Sequence, residues 1–367
     1  MSRLAKSRFS VPVLSEYVAK MFFMRFLVLL IGLAVVLQTL DLLSQSGDIL
    51  AAEGADNSSI WRFTLLRMPQ MMSNVVAFSA LLATLITSAS LAQHSEITVM
   101  KSTGLSALRI ILPMMGVCLL ISIVHFAFNE LVVVQTNDEY ERWRAADFAV
   151  GERILPPVQQ DAWASENSVT VRIQDVTREG TILDEVSLYD RKEDGTLRSL
   201  TQAKFAAHVN GKWTLFDVRR FDVEANTFTS TSQEAWDTQI PPERFQALSI
   251  DPETVGIGRL ADAVTLLAGE GRTIARLSVW LHHKISGPLG TILMPLLGSL
   301  VAFGLVRSGN LFIRAVAGMA FGFSYFVVDS LLLAVGQFGT VPPAFAAWAP
   351  FFLFLLLGLT VLVYAEE

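Results

Sequence analysis

Apolar residues fall along this chain in long runs, with polar residues gathered between them. Six runs stand out, at roughly 21–43, 63–92, 108–134, 276–306, 312–336 and 345–364. Each reaches about the 20 residues a helix needs to cross the hydrocarbon core of a bilayer. The polar break between the second and third runs covers only 95–106, so it must lie at one membrane face. Glu96, Met100 and Lys101 recur there at helical spacing, and Gly104 stops the turn, as glycine does after a helix. The pattern predicts a short helix within about 94–106, tied at both ends to membrane spans, and so placed to act as a mechanical handle.

The long break between the third and fourth runs has a different period. Over 135–144 charges are dense and the apolar period stays helical, so the third helix is expected to continue beyond the membrane. From Trp163 onward the pattern alternates: Val169, Val171 and Ile173 lie on one face, Thr170, Arg172 and Gln174 on the other, as in a half-buried strand. Glu193-Asp194-Gly195 and Asn210-Gly211 separate such runs, and Asn-Gly suits a hairpin turn because both central positions need positive φ. Trp213, Leu215, Phe221 and Val223 continue the alternation, which predicts a small antiparallel sandwich or jelly roll. Residues 254–276 read as an amphipathic entry to the membrane, with Leu260, Val264, Leu266 and Leu267 broken by Gly269-Glu270-Gly271. The expected fold class is a mainly α membrane protein with six transmembrane helices, three before and three after an inserted all-β jelly-roll-like domain. The expected divisions are 1–134, 135–275 and 276–367.

Composition agrees with the membrane reading. The chain is 52% hydrophobic and 17% charged, against about 25% charged in soluble proteins, and its mean hydropathy is +0.47. A net charge of -6 with no basic run between aromatics gives no nucleic-acid footprint. Cys118 is the only cysteine and sits in an apolar run, so it reads as a packing residue with no disulfide partner in the chain. The first run follows Arg3, Lys6 and Arg8 but exceeds the ~7–15 residues of a secretory signal core, so it reads as an uncleaved anchor.

Lys and Arg in short flanking segments set the orientation. Arg3, Lys6, Arg8, Lys20 and Arg25, then Lys101 and Arg109, then Arg307 and Arg314 share one side if the N-terminus is cytoplasmic. Segment 336–344 on the other side has neither residue. Both termini are then inside and the polar region outside. Arg62 and Arg67 break this rule, and Arg142 and Arg144, beside Trp143, belong to the same outer level. Two readings stay open for these four: a solvated face pairing with Glu139 and Glu141, or guanidinium forks for phosphate oxygens.

Catalytic signatures are missing. No phosphate-binding loop of the G-x-x-x-x-G-K-[ST] type is present, nor a zinc-protease, nucleophile-elbow or kinase pattern. His282-His283-Lys284 points to different helix faces without a carboxylate four residues on, so it reads as a membrane-face anchor and not as a metal site. An aspartate at the centre of a membrane helix costs about 2.5–3.5 kcal/mol. Asp41 lies near the outer end of the first run, within reach of water, whereas Asp329 lies deep in the fifth, as a helix contact first, a headgroup contact or a proton site second. Pro288 and Pro295 predict a kinked fourth span. The two sets of three runs show no internal repeat, unlike inverted-repeat secondary transporters.

Ser95-Glu96 followed by Val99-Met100 and Gly104, with the three-plus-three runs and the β insertion, resembles the lipopolysaccharide export permease family LptF/LptG. Asn129-Glu130 closing the third run and Val341-Pro342-Pro343-Ala344-Phe345-Ala346-Ala347-Trp348-Ala349-Pro350 opening the sixth match it too, so the resemblance covers essentially the whole chain. The 95–104 run and the Asp41 region stand nearer the LptG branch. The resemblance implies a non-catalytic permease subunit of an ABC transporter in the bacterial inner membrane, with the β domain in the periplasm. Such a transporter extracts lipopolysaccharide from the outer leaflet and passes it to a jelly-roll bridge toward the outer membrane. The implied partners are an LptF-like permease subunit, an LptB-like ATPase dimer and LptC-like and LptA-like jelly-roll proteins. No cofactor is implied in this chain; ATP and Mg belong to the partner ATPase. Glu96, Met100, Lys101 and Gly104 are implied to couple to that ATPase, the Glu96 carboxylate pairing with a basic group there. Spans 1 and 5 are implied to line the lipopolysaccharide cavity, with Phe26, Phe321, Phe323 and Phe326 against acyl chains and Arg62, Arg67, Arg142 and Arg144 against phosphates. Asp41 and Asp329 belong to the same cavity. The chain departs from the family at Gln38, where LptG-like chains often carry a lysine, and at Glu141, where a basic residue is expected.

Two other classes compete: a membrane sensor or scaffold with the β domain as receptor, and a proton-driven transporter working through Asp329. The first needs the handle but no substrate-sized cavity; the second needs no ATPase.

Overall fold

A computed structural model describes residues 10–52, 54–149, 159–166, 168–177, 180–192, 194–209, 211–248, 250–269, 274–303 and 311–364. Two compact units divide the chain: Met1–Gln45, Phe63–Thr136 and Ala275–Glu367 form the first, and Ser46–Arg62 with Asn137–Ile274 the second. The chain order is α1 (Ser10–Ala51), α2 (Asn57–Gln93), α3 (Glu96–Ser102), α4 (Ala107–Phe128), a π-helical turn (Asn129–Val133) and α5 (Val134–Ala145). Strands β1 (Gln159–Glu166), β2 (Val169–Thr177), β3 (Ile182–Arg191), β4 (Leu197–Val209), β5 (Lys212–Asp222) and β6 (Thr227–Trp236) follow. Last come α6 (Pro242–Leu248), α7 (Ile257–Gly269), α8 (Ala275–Gly290), α9 (Leu293–Phe303), α10 (Leu311–Gln337) and α11 (Pro343–Tyr364).

Among the described residues five helices are long and apolar enough to cross a membrane: Val13–Ala51, Asn57–Gln93, Ala107–Arg144, Ala315–Gln337 and Pro343–Val363. The third includes the expected extension, because the π-helical turn carries α4 into α5 without a break. The run at 276–306 differs from expectation. It is divided between α8 and α9, 16 and 11 residues long, and its residues 304–306 lie outside the described residues. Pro295 has no N–H to give the carbonyl four residues back. The chain tightens there instead, with the Thr291 N–H donating to the Pro288 carbonyl and the Ile292 N–H to the Leu289 carbonyl.

Inside the first unit, apolar side chains from α1, α2, α4, α9, α10 and α11 make one core around Phe22, Leu81, Ile111, Met114, Leu297 and Phe354. Lipid tails are as apolar as these side chains, so close packing and not water exclusion holds such helices together. Gly336 shows it: a Cβ there would lie 2.4 Å from the Ala346 Cβ. Cys118 is buried in this core.

In the second unit the strands form one six-stranded antiparallel sheet in chain order. The turn signals therefore produce a single meander. Its ladders share a feature that alternation alone does not predict. Each of the five lacks one pair, at 161/174, 174/185, 185/204, 204/217 and 217/232, so the gaps lie on one line across the sheet. Glu185 and Asp217 on that line have φ of 50° and 52°. The buried position changes parity as β2, β3, β4 and β5 cross it: Ile173 then Val176, Leu183 then Val186, Ala203 then Ala206, Leu215 then Val218. One unpaired residue per strand, with the register unchanged on either side of it, lets the sheet crease while keeping the same face apolar. Ile240 and Phe245 cover that face. The buried Trp213 indole N–H donates to the Ile240 carbonyl at 2.9 Å, and Phe245 stands edge-on to Trp213 at 5.4 Å. Gly180 must be glycine, with φ of 88° and a would-be Cβ 2.1 Å from the Pro242 carbonyl oxygen. β6 pairs with β5 alone and is exposed along nearly its whole length.

Candidate functional site

The handle is built as a staple. Ser95 precedes α3 in the left-handed conformation, φ 59°, and Gly104 leaves it at φ 83°. The Gly104 N–H closes on the Lys101 carbonyl at 2.9 Å and the Leu105 N–H on the Met100 carbonyl at 3.3 Å. The Ser106 hydroxyl then accepts the Arg109 N–H and caps α4. Ile97 and Met100 are buried in the core of the first unit. Met100, expected among the coupling residues, is thus an inward anchor. Val99 (62% exposed), Lys101 and Ser102 face outward. Glu96 is half-buried, and its Oε1 accepts from the Tyr17 hydroxyl at 3.5 Å. Tyr17 and Val99 were not among the expected residues; the periodicity that marked a helix did not say which of its faces was free.

The charged residues fall into separate groups. In the first unit Arg67 Nε pairs with Asp41 Oδ2 at 3.0 Å, and both side chains are less than a fifth exposed. Gln45 donates to the other Asp41 oxygen at 3.4 Å. Neighbouring Gln38 is buried, and neither its amide nitrogen nor its oxygen has a hydrogen-bond partner among the described residues. In the second unit Arg62 meets Glu139 at 3.2 Å and lies 4.8 Å over the Trp143 ring. Arg142 pairs with Asp138, one helical turn away, and Arg144 with Glu141 at 3.9 Å. All four arginines therefore face carboxylates of this chain, Arg62, Arg142 and Arg144 in pairs open to solvent and Arg67 in a pair largely withdrawn from it. An anionic ligand would have to exchange with those carboxylates.

Among the aromatic candidates, Phe26 is buried and stacks on Phe22 at 6.5 Å. Phe321 packs against Phe354 at 5.9 Å, and Phe326 against Phe78 and Tyr325. Phe323 is 54% exposed. Asp329 is half-buried on α10, one turn beyond Tyr325. Sequence reasoning missed one polar node. The Ser73 hydroxyl lies 2.7 Å from Asn129 Oδ1 and 2.9 Å from His125 Nε2, and Asn129 Nδ2 lies 3.2 Å from the same ring nitrogen. The four-residue spacing of His125 and Asn129 on one helix was the available signal. Ser73 and His125 also line a cavity of about 800 Å³ between α1, α2 and α4.

Comparison with known proteins covers the chain almost end to end. The family model described as "Lipopolysaccharide export system permease LptF/LptG" matches residues 16–364. The lipopolysaccharide export system permease protein LptG of Escherichia coli (strain K12) is 27% identical over 360 residues, which span 96% of this chain and 98% of that protein. The protein of the same name from Haemophilus influenzae is 28% identical over 311 residues, 83% of this chain and 86% of its own length.

Proposed function

The chain belongs to the LptF/LptG family of lipopolysaccharide export system permeases, and from that premise we propose that it is the non-catalytic membrane subunit of an ATP-driven lipopolysaccharide extractor. It sits in the inner membrane with both termini cytoplasmic and the β unit in the periplasm. Six spans result if α8 and α9 together make the fourth crossing. An LptF-like subunit completes the cavity, and a dimer of an LptB-like ATPase holds ATP and Mg. The creased sheet serves as a jelly-roll-like trough whose free β6 edge adds a strand from an LptC-like or LptA-like neighbour.

The observation that carries this reading is the stapled α3. With Ile97 and Met100 locked into the core, a push on Val99, Lys101 or Ser102 cannot be absorbed by the helix and passes to α2 and α4. Glu96, held by Tyr17, supplies a positioned carboxylate for a basic residue of the ATPase. Gly104 supplies the positive-φ turn that fixes the helix end. At the outer level lipopolysaccharide phosphates displace the carboxylates from Arg62, Arg67, Arg142 and Arg144, while Phe26, Phe321 and Phe326 face acyl chains. Asp41 releases Arg67 as the ligand binds, and Asp329 is a polar contact between helices of the cavity wall.

The test is copurification of the ATPase with Glu96→Lys and Val99→Arg variants. Both should abolish it while the permease pair still assembles. Copurification at wild-type levels with both variants defeats the handle assignment. The self-paired arginines favour one competitor, a scaffold that binds no phosphate. Photo-crosslinkers at positions 26, 67 and 321 separate the two: lipopolysaccharide adducts fit the permease, and their absence at all three fits the scaffold.

A further inference from the structure

The 800 Å³ cavity between α1, α2 and α4 is an open-sided slot, with walls from Phe23, Phe26, Leu27 and Leu30 of α1, Val76 of α2 and Val117, Leu120, Ile121, Val124 and Phe128 of α4. Its polar wall residues Ser73 and His125 already bond to each other. Two charged side chains remain, Glu16 and Lys20, both exposed and both at the end of α1 that carries Tyr17 and touches α3. Neither is ion-paired among the described residues, whereas the arginines discussed above all are. They stand four residues apart and both line the slot, Glu16 about 6 Å nearer the start of α1 than Lys20.

We propose that this slot holds one phosphatidylethanolamine, its phosphate on Lys20, its ammonium on Glu16 and an acyl chain along α1. The order of charges is the order in that headgroup, with phosphate next to the chains and ammonium beyond it. The length fits as well. From Lys20 to Leu30 a helix rises about 15 Å, which is half of a ~30 Å hydrocarbon core. The site lies in the leaflet on the side of α3, which is the cytoplasmic one if the orientation proposed above holds, and Phe26 is the wall residue it shares with the proposed lipopolysaccharide cavity.

The full chain, purified with its native partners, is equilibrated with equal amounts of palmitoyl-oleoyl phosphatidylethanolamine and phosphatidylglycerol and its retained lipid counted by native mass spectrometry. One phosphatidylethanolamine per chain is expected. Ala19→Trp, which fills the slot, should remove it, while Val28→Trp, on the exposed side of α1 away from the slot, should not. Glu16→Lys should lower the ethanolamine-to-glycerol retention ratio about fivefold, the usual weight of one headgroup charge, and it tests the idea even if Ala19→Trp does not fold. An unchanged ratio in Glu16→Lys, or equal retention in both tryptophan variants, overturns the proposal. So does a photo-crosslinker at Leu27 that captures a polypeptide in place of phospholipid. None of these outcomes depends on whether the handle binds an ATPase, so this inference and the proposed function can fail separately.

Discussion

The helical unit and the sheet unit handle charge in opposite ways. In the helical unit the Asp41–Arg67 pair is mostly withdrawn from solvent, and each member is the other's compensation. In the sheet unit the pairs Lys192–Glu224, Arg198–Asp190 and Arg220–Glu234 lie at the surface, each with at least one partner substantially exposed to water. Breaking a withdrawn pair strands a charge where solvent cannot reach it, and breaking an exposed pair leaves both ions hydrated. The same kind of contact is thus a structural constraint in one unit and nearly free to change in the other.

The largest expected effect follows directly. Asp41→Asn should destabilise the helical unit by about 2–3 kcal/mol, somewhat below the ~3–5 kcal/mol of a fully buried stranded charge because the pair keeps some solvent contact. Arg67→Gln in the same chain should restore most of that loss. Thermal unfolding of the single and double variants measures it. A double variant as unstable as Asp41→Asn alone would mean that the pair is not a unit, and the contrast between the units would collapse. Next comes Trp213→Phe in the sheet unit, which removes the indole N–H and leaves the buried Ile240 carbonyl without its donor. The expected loss is about 1–3 kcal/mol. Arg220→Gln, at an exposed pair, should cost no more than about 1 kcal/mol. If it cost as much as Trp213→Phe, surface charge in the sheet would matter more than solvation allows.

How far these differences could be read in the sequence depends on their range along the chain. Apolar runs are local, so the membrane helices were legible, and so were the strands and the Gly195 and Gly211 turns, both of which have positive φ. Pairs three or four residues apart, such as Arg142–Asp138 and Arg144–Glu141, follow from helix geometry. Asp41–Arg67 and Ser73–His125 were not legible, because 26 and 52 residues separate the partners and only packing unites them. The crease was hidden for another reason. A parity change after Ile173 looks like a lapse in alternation in one strand, and becomes a feature only when five ladders share it. The break between α8 and α9 lay in between: Pro288 and Pro295 announced a kink, while the length of the apolar run concealed two half-helices.

Asp184 gives the finest test of the contrast. It lies on β3 opposite Asp175 in the ladder, and partial burial, then the neighbouring Glu185 charge, raises its pKa above the ordinary 3.8. A carboxyl whose folded pKa is raised binds its proton more tightly in the folded state than in the unfolded one. Its ionised form therefore opposes folding at neutral pH, and the opposition fades as pH falls through the raised value and is gone below 3.8. Asp194 behaves in the reverse sense: bonds from Thr196 lower its pKa, so its contribution is present at neutral pH and is lost as pH falls through the depressed value. Asp184→Asn should therefore raise the melting temperature of the sheet unit slightly at pH 7 and leave it unchanged near pH 3. A gain of equal size at both pH values would trace the effect to packing and remove electrostatics from the account of this strand.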